Sequence, residues 1–206
     1  GRFCQTASIF YRGWIELHFI GDKPLIYLTS RPIAGIDFLD EVPSNTDVAR
    51  FSRINNIQGL EIWSDELDPN RLGRVLPGFK ELRRLRLCTT NIDERVLYSI
   101  SRIPDLRSLE LCGACDEFRF DSKGLRHLQE LTSLTKLKLS YFSISDTGLM
   151  YISRIPNLRT LVIYRCDVTD TGLRYLGGLE SLRGPLVCAA SLTSHPLPSF
   201  STSLVI

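Results

Sequence analysis

The chain has 206 residues, 43% of them hydrophobic, with 25 Lys+Arg against 23 Asp+Glu for a formal net charge of +2. That length suffices for one well-buried domain or one repeat array, and the near-balance of charge argues against a dedicated binder of nucleic acid, which carries a basic excess. The longest mostly apolar stretch, 9–20, is interrupted by Arg12, Glu16 and His18, and it falls short of the roughly 18 uncharged residues a membrane-spanning helix requires.

From Trp14 to Ile20 the residues Trp14, Glu16 and His18 alternate with Ile15, Leu17 and Phe19, the period-two pattern of a strand. Gly21-Asp22 supplies turn chemistry and Leu25 to Leu28 reads as the returning strand, with Pro24 confining it to an edge or a strand start. Residues 1–32 are therefore expected to form an N-terminal β-hairpin cap over the first repeat, since an open end of a repeat array exposes core leucines and strand edges.

From residue 33 the arithmetic is regular. An L-x-x-L-x-L core starts at Ile33, Ile57, Leu82, Leu106, Leu134, Leu158 and Leu182, at spacings of 24, 25, 24, 28, 24 and 24. The companions three and five residues later run Ile36 and Phe38, Leu60 and Ile62, Leu85 and Leu87, Leu109 and Leu111, Leu137 and Leu139, Leu161 and Ile163, then Pro185 and Val187. A second column checks the first. Four residues before each helix leucine (Leu72, Leu97, Leu125, Leu149, Leu173) stand Asp68, Asp93, Asp121, Ser145 and Thr169, with Ser44 before Val48 and Thr193 before Leu197 in the weaker outer copies. All are good N-cap residues, able to accept a hydrogen bond from the open amides of a first helical turn. One strand, one turn and one short helix cannot bury an apolar stripe alone, so such units must stack.

The segments LTKLKLSYFSISDTGLMYISRIPN and LRTLVIYRCDVTDTGLRYLGGLES resemble short leucine-rich repeats of the type L-x-x-L-x-L…(I/V)-(T/S)-D-x-G-L-x-x-L. That type occurs in many bacterial proteins and is similar to the cysteine-containing, ribonuclease-inhibitor-like repeats of ubiquitin-ligase substrate receptors. The match covers about residues 33–187, in six repeats starting at 33, 57, 82, 106, 134 and 158. It departs from the pattern at Phe38 and Pro43, at Arg95-Val96 where glycine is expected, and in the last copy, where Pro185, Pro196 and Pro198 oppose regular structure. Residues 188–206 are expected to be a degenerate C-terminal cap or a disordered tail.

The resemblance implies an α/β leucine-rich repeat solenoid, a right-handed horseshoe with parallel strands on its concave face and short helices on its convex face. The outward positions of the strands then form a ladder: Gly35, Asp37, Leu39; Gly59, Glu61, Trp63; Arg84, Arg86, Cys88; Ser108, Glu110, Cys112; Lys136, Lys138, Ser140; Thr160, Val162, Tyr164. Exposed Trp, Tyr and Arg dominate interface hot spots. Glu61, Trp63, Arg84, Arg86, Glu110, Lys136, Lys138, Tyr141 and Tyr164 are the candidate partner-binding residues. Changing Arg86 and Lys138 to Glu is expected to weaken binding without moving the melting temperature; the bland alternative is a solvated face whose opposite charges pair across strands. The four-residue insertion within 113–121 carries Asp116, Glu117, Phe118, Arg119 and Phe120; drift in a tolerant loop is the favoured reading, and decoration of a binding edge is the alternative.

The function expected is a non-catalytic interaction scaffold for a protein or peptide, with no nucleic acid, membrane or small-molecule partner, no cofactor and no metal. An alternative is the substrate-receptor fragment of a ubiquitin-ligase-type or signalling complex, its effector domain lying upstream of Gly1. A remote alternative is an enzyme with Cys88, Cys112 or Cys115 as nucleophile. Cys112-x-x-Cys115 lacks the second ligand pair of a zinc site, and Cys166 holds a repeat position where a side chain satisfies turn backbone. His127 is expected to point to solvent, and neither His18 nor His195 lies near a nucleophile. The six cysteines of a Leu-rich chain this long do not read as a disulfide framework. A reducing compartment, the cytoplasm, is on that ground the favoured location; the opening residues show no basic start, apolar run and cleavage site of a secretory signal.

Overall fold

The computed structural model describes residues 14–16, 19–20, 23–24, 35–37, 57–63, 68–89, 92–113, 122–142, 144–164, 169–177, 179, 182, 186–189 and 204–205. Along the chain come β1 (Trp14–Glu16), β2 (Phe19–Ile20), β3 (Lys23–Pro24), β4 (Gly35–Asp37), β5 (Gly59–Trp63), α1 (Pro69–Val75), β6 (Arg84–Cys88) and α2 (Glu94–Ser101). They are followed by β7 (Ser108–Cys112), a 3-10 helix (Ser122–Glu130), β8 (Lys136–Ser140), α3 (Asp146–Ile152), β9 (Thr160–Tyr164), α4 (Asp170–Leu176), β10 (Leu186–Ala189) and β11 (Leu204–Val205).

Among the described residues one nine-stranded sheet runs in the order β1-β4-β5-β6-β7-β8-β9-β10-β11, and every neighbouring pair is parallel. From β5 to β10 a helix between each two successive strands carries the chain back across the sheet, as parallel pairing requires. The leucine arithmetic becomes geometry in the register. Leu60, Leu85, Leu109, Leu137 and Leu161 are successive cross-strand partners, as are Ile62, Leu87, Leu111, Leu139 and Ile163. Each of these ten side chains is at most 1% exposed. They face helix residues Leu72, Leu97, Leu125, Leu149 and Leu173 within one continuous core. Each fully buried leucine contributes about 1.5–3 kcal/mol of transfer free energy, which is what makes the two-residue alternation decide which face of each strand turns inward.

The cap column works as hydrogen bonds. Asp68 accepts from the Asn70 amide at 2.9 Å, Asp93 from Val96 at 2.9 Å, Ser145 from Gly148 at 3.2 Å and Thr169 from Gly172 at 3.1 Å. The remaining members, Ser44, Asp121 and Thr193, lie outside the described residues. Main chain joins the copies as well. The carbonyls of Gln58, Arg83, Arg107 and Thr135 each accept two amides from the next copy, at 2.8–3.0 Å.

The glycine just before the helix leucine also has a packing reason. A Cβ on Gly124 would meet Leu97 Cδ1 at 2.8 Å, one on Gly148 would meet Leu125 Cδ1 at 3.1 Å, and one on Gly172 would meet Leu149 Cδ1 at 2.5 Å and Asp146 Oδ1 at 2.6 Å. Each glycine is thus the notch that receives the helix leucine of the preceding copy. In an isolated helix, Gly→Ala gains about 1 kcal/mol; overpacking a filled core costs about 1–3 kcal/mol. Leu149 is fully buried and the Asp146 carboxylate is fixed by the Thr169 hydroxyl at 2.6 Å, so neither yields cheaply. Gly172→Ala is therefore expected to lower the melting temperature, and a rise in a thermal melt would show that the notch is not tight.

Three elements differ from the sequence expectation. Among the described residues the antiparallel pairing near the N-terminus joins Phe19–Ile20 with Lys23–Pro24, the expected returning strand 25–28 lying outside them, whereas Trp14–Glu16 joins the main sheet in parallel with Gly35–Asp37. Period-two alternation marks a strand but says nothing about its partner, so a single run of 14–20 could be divided between two sheets. The fourth-copy helix is 3-10 rather than α, so side chains three apart align and Leu125 and Leu128 share the core face. In the last copy, strand β10 forms despite Pro185, but Cys188 rather than Val187 pairs with Ile163. A slip of one residue interchanges the two faces of a strand, so Pro185 and Val187 are not the companions that the spacing of 24 implies. Strand β11, in the segment 188–206 expected to be a cap or tail, pairs with Leu186 and Val187 of β10; the intervening 190–203 lie outside the described residues.

Candidate protein-binding face

The sheet face opposite the core carries the predicted ladder. Glu61, Arg86, Glu110, Lys138 and Val162 are consecutive cross-strand partners, flanked by the row Gly59, Arg84, Ser108, Lys136 and Thr160 and by the row Trp63, Cys88, Cys112, Ser140 and Tyr164. Strands about 4.8 Å apart bring the long side chains of each row into reach of one another, and the charges exploit it. Arg86 Nη1 donates to Glu61 Oε1 at 2.6 Å, Arg86 Nε lies 3.8 Å from Glu110 Oε2, and Lys136 Nζ donates to Glu110 Oε1 at 2.6 Å.

These contacts set the ionisation of the row. Burial alone would raise the Glu110 carboxyl, but the hydrogen bond and charge of Lys136, with the charges of Lys138 and Arg86, hold it below the usual carboxylate range. Burial alone would lower Arg86, yet Glu61, Cys88 and Glu110 raise it above its ordinary value. Because the folded Glu110 binds its proton more weakly than the unfolded chain does, its contribution is complete above the unfolded glutamate value of about 4.3 and is lost as pH falls through the lower folded value. Wild-type chain should therefore melt above Glu110→Gln at neutral pH, with the gap closing in acid. A gap independent of pH would separate Glu110 from this network.

Charge reversal at the candidate site acquires a different meaning from the one expected. Arg86 bridges two carboxylates, and Lys138 stands directly opposite Glu110. Glutamate at either position sets like charges across adjacent strands, which destabilises a sheet. The expectation that both reversals leave stability unchanged is corrected on that ground. Cross-strand pairing, the bland alternative, holds for Glu61, Arg86, Glu110 and Lys136. Lys138 makes no ion pair among the described residues, and Arg84 is exposed.

At one end of the ladder, Tyr141 and Tyr164 meet edge to face, with ring centroids 5.7 Å apart at 81°. Tyr141 is the non-glycine residue with positive φ, 62°, among those described. A left-handed backbone costs an L-residue about 1–2 kcal/mol; the Tyr141 amide is held on the Tyr164 carbonyl at 2.9 Å, and the ring contact recovers part of that cost. Tyr164 remains 37% exposed. Trp63 occupies the strand position beside Cys88. Ser140, placed on the ladder by its spacing, is in fact buried, as is Phe142.

Cys88 and Cys112 are cross-strand partners on this face, both half-buried. Cys115, Cys166 and residues 114–121, which include Asp116 to Phe120 of the insertion region, lie outside the described residues, as do His18 and His195. Among the described residues no group of three or more His, Cys, Asp or Glu could hold a metal ion, and no helix is long and apolar enough to cross a membrane.

A cluster on the helix side escaped the sequence reading. His127 is packed rather than directed to solvent: its side chain is 16% exposed, Nε2 lies 3.1 Å from Glu94 Oε1, and the ring meets Tyr98 edge on at 5.3 Å. Arg126 pairs with the same Glu94. The signal for it was available in principle, because the helices of neighbouring copies stack side by side and Glu94 opens the turn next to 126–127.

No protein-family description and no curated protein matches this chain. Among solved structures, the crystal structure of internalin C2 from Listeria monocytogenes matches with a TM-score of 0.52 at 16% identity, over 79% of this chain and 64% of that one. At such identity the likeness is one of fold, and this chain spans less than two thirds of that structure. Internalin C2 is a leucine-rich repeat protein. Together with the alternating parallel strands and helices, the likeness gives this chain an α/β leucine-rich-repeat-like fold.

Proposed function

We propose that the chain is a non-catalytic interaction module, a curved repeat solenoid that binds a protein or peptide along the concave face of its sheet. The observation that carries this reading is the unbroken outward row on five successive strands, ending in the Tyr141–Tyr164 pair. Such a face is rigid before binding, which spares the ordering cost that weakens flexible interfaces. On these five strands the charges are Arg84, Arg86, Lys136 and Lys138 against Glu61 and Glu110, and the two carboxylates are already engaged by Arg86 and Lys136. That balance favours a partner segment presenting carboxylates next to an aromatic or apolar anchor for the tyrosines.

The test is selection of peptides on the full chain from a random displayed library. Acidic, aromatic-containing sequences should be enriched, and Lys138→Gln or Tyr164→Ala should weaken the selected peptides by about tenfold, the scale of one hot-spot residue. Lys138→Gln is chosen because it removes a cation without facing Glu110 with a second carboxylate. Equal affinities in both variants would place binding elsewhere.

A further inference from the structure

We propose that Cys88 and Cys112 form a peroxide-responsive dithiol site on the sheet face, with Cys112 as the attacking sulfur and Cys88 as the resolving one. The geometry comes first. The two residues are direct partners at the ends of parallel strands β6 and β7, and strands about 4.8 Å apart fall within the 4.4–6.8 Å Cα separation a disulfide spans. The strands are clamped just beyond them, where the Thr89 amide donates to the Cys112 carbonyl at 3.1 Å and the Gly113 amide to the Ser140 carbonyl at 2.9 Å. Both thiols are half-buried, so a molecule the size of hydrogen peroxide has access.

The surroundings distinguish the two sulfurs. Arg86 lies on the strand of Cys88 and hydrogen-bonds it; Lys138 lies on the strand beyond Cys112 and acts on it by charge. Glu110, on the strand of Cys112, is occupied by Lys136 and Arg86. Trp63 and Ser140, the outer cross-strand partners, bring no charge. With both protons present, Cys112 Sγ points at the Gly113 carbonyl 3.7 Å away. Once one proton leaves, Cys88 donates to the Cys112 sulfur, and that bond, helped by Arg86 and Lys138 against the cost of burial, brings Cys112 down to about 7. The same bond, with burial, pushes Cys88 up. The pair therefore sheds one proton near neutrality and keeps the other.

The chemistry balances without a metal or an enzyme. The Cys112 thiolate attacks one peroxide oxygen, the O–O bond breaks, and the departing hydroxide takes up a proton as water, leaving Cys112 as a sulfenic acid. Cys88 then attacks the Cys112 sulfur: the S–S bond forms, the S–O bond breaks, and the second hydroxide leaves with the Cys88 proton as water. Two thiols are oxidised by two electrons, one peroxide is reduced, and two waters result. A low-pKa, accessible thiolate beside a resolving cysteine is the arrangement that makes oxidation site-selective and reversible.

The test uses the full chain and does not depend on any binding partner. Hydrogen peroxide at limiting amounts, followed by peptide mapping without reductant, should give the Cys88–Cys112 crosslink. Cys88→Ser should stop at the Cys112 sulfenic acid, captured by dimedone, and Cys112→Ser should lose the reaction. A crosslink of Cys112 to Cys115, or oxidation that spares Cys112, would overturn the proposal. A second measurement needs no variant. Iodoacetamide alkylation of Cys112 in the wild-type chain should be half-maximal near pH 7, and about threefold faster at pH 7 than an ordinary thiol once the weaker nucleophilicity of a low-pKa thiolate is allowed for. A midpoint near the ordinary value of about 8.5 would equally overturn it.

Discussion

Leu109→Ala is expected to cost about 2–5 kcal/mol, the range for truncating a fully buried leucine. Leu109 lies in the central strand β7, is 0% exposed, and has Leu85 and Leu137 as its cross-strand neighbours. The truncation therefore removes apolar contact on both sides at once, and the clamped strands leave little room for collapse. For a chain of this size the melting temperature should fall by roughly 4–20 °C. Because each copy touches only its neighbours, a void in the middle also weakens the coupling between the two halves of the array. The melt should broaden as well as shift. A melt unchanged from wild type would mean that Leu109 does not face the core.

Arg86→Glu is the second large effect. The guanidinium is 36% exposed and sits between Glu61 and Glu110, at 2.6 and 3.8 Å. Reversing its charge deletes a charge-assisted hydrogen bond and lines up carboxylates on three adjacent strands, which repel directly across the sheet. Partial solvation screens both effects, so the loss should be about 1–2 kcal/mol, against no more than about 0.5 kcal/mol for Lys138→Gln at an outward position without an ion pair among the described residues. At 1 M salt, where the screening length is about 3 Å, the difference between the two variants should shrink. Equal melting temperatures for Arg86→Glu and Lys138→Gln at low salt would show that the Glu61–Arg86–Glu110 bridge contributes nothing.

The legibility of this molecule divides along physical lines. Leu60, Leu85, Leu109, Leu137 and Leu161 were readable because burial of an apolar side chain repeats with the fold and leaves a period in the sequence. Asp93, Ser145 and Thr169 were readable because a helix start needs an acceptor at one fixed place. The pairing of Arg86 with both Glu61 and Glu110 was not, since the spacing places residues opposite one another without saying whether their charges close on each other or stay open. The shift of Cys188 into register with Ile163 was hidden by Leu182 and Val187, apolar residues that fit the period by type alone. His127 failed for a related reason: its own helix offers it water, and only the neighbouring copy supplies Glu94 and Tyr98. As for the candidate face, its outward row followed from the period, whereas the asymmetry between Cys88 and Cys112 depends on which cations stand nearby.

The carbonyls of Gln58, Arg83, Arg107 and Thr135, each gripping two amides of the following copy, stand at a position that glutamine, arginine and threonine fill equally well. The bond between copies is written there in main chain, so no particular residue is required to keep it. That edge of the molecule is free to change its side chains without loosening the stack, and a whole copy can be gained or lost with its joint intact. The array can thus lengthen, shorten or re-surface one border while the leucine rows continue to hold it in register.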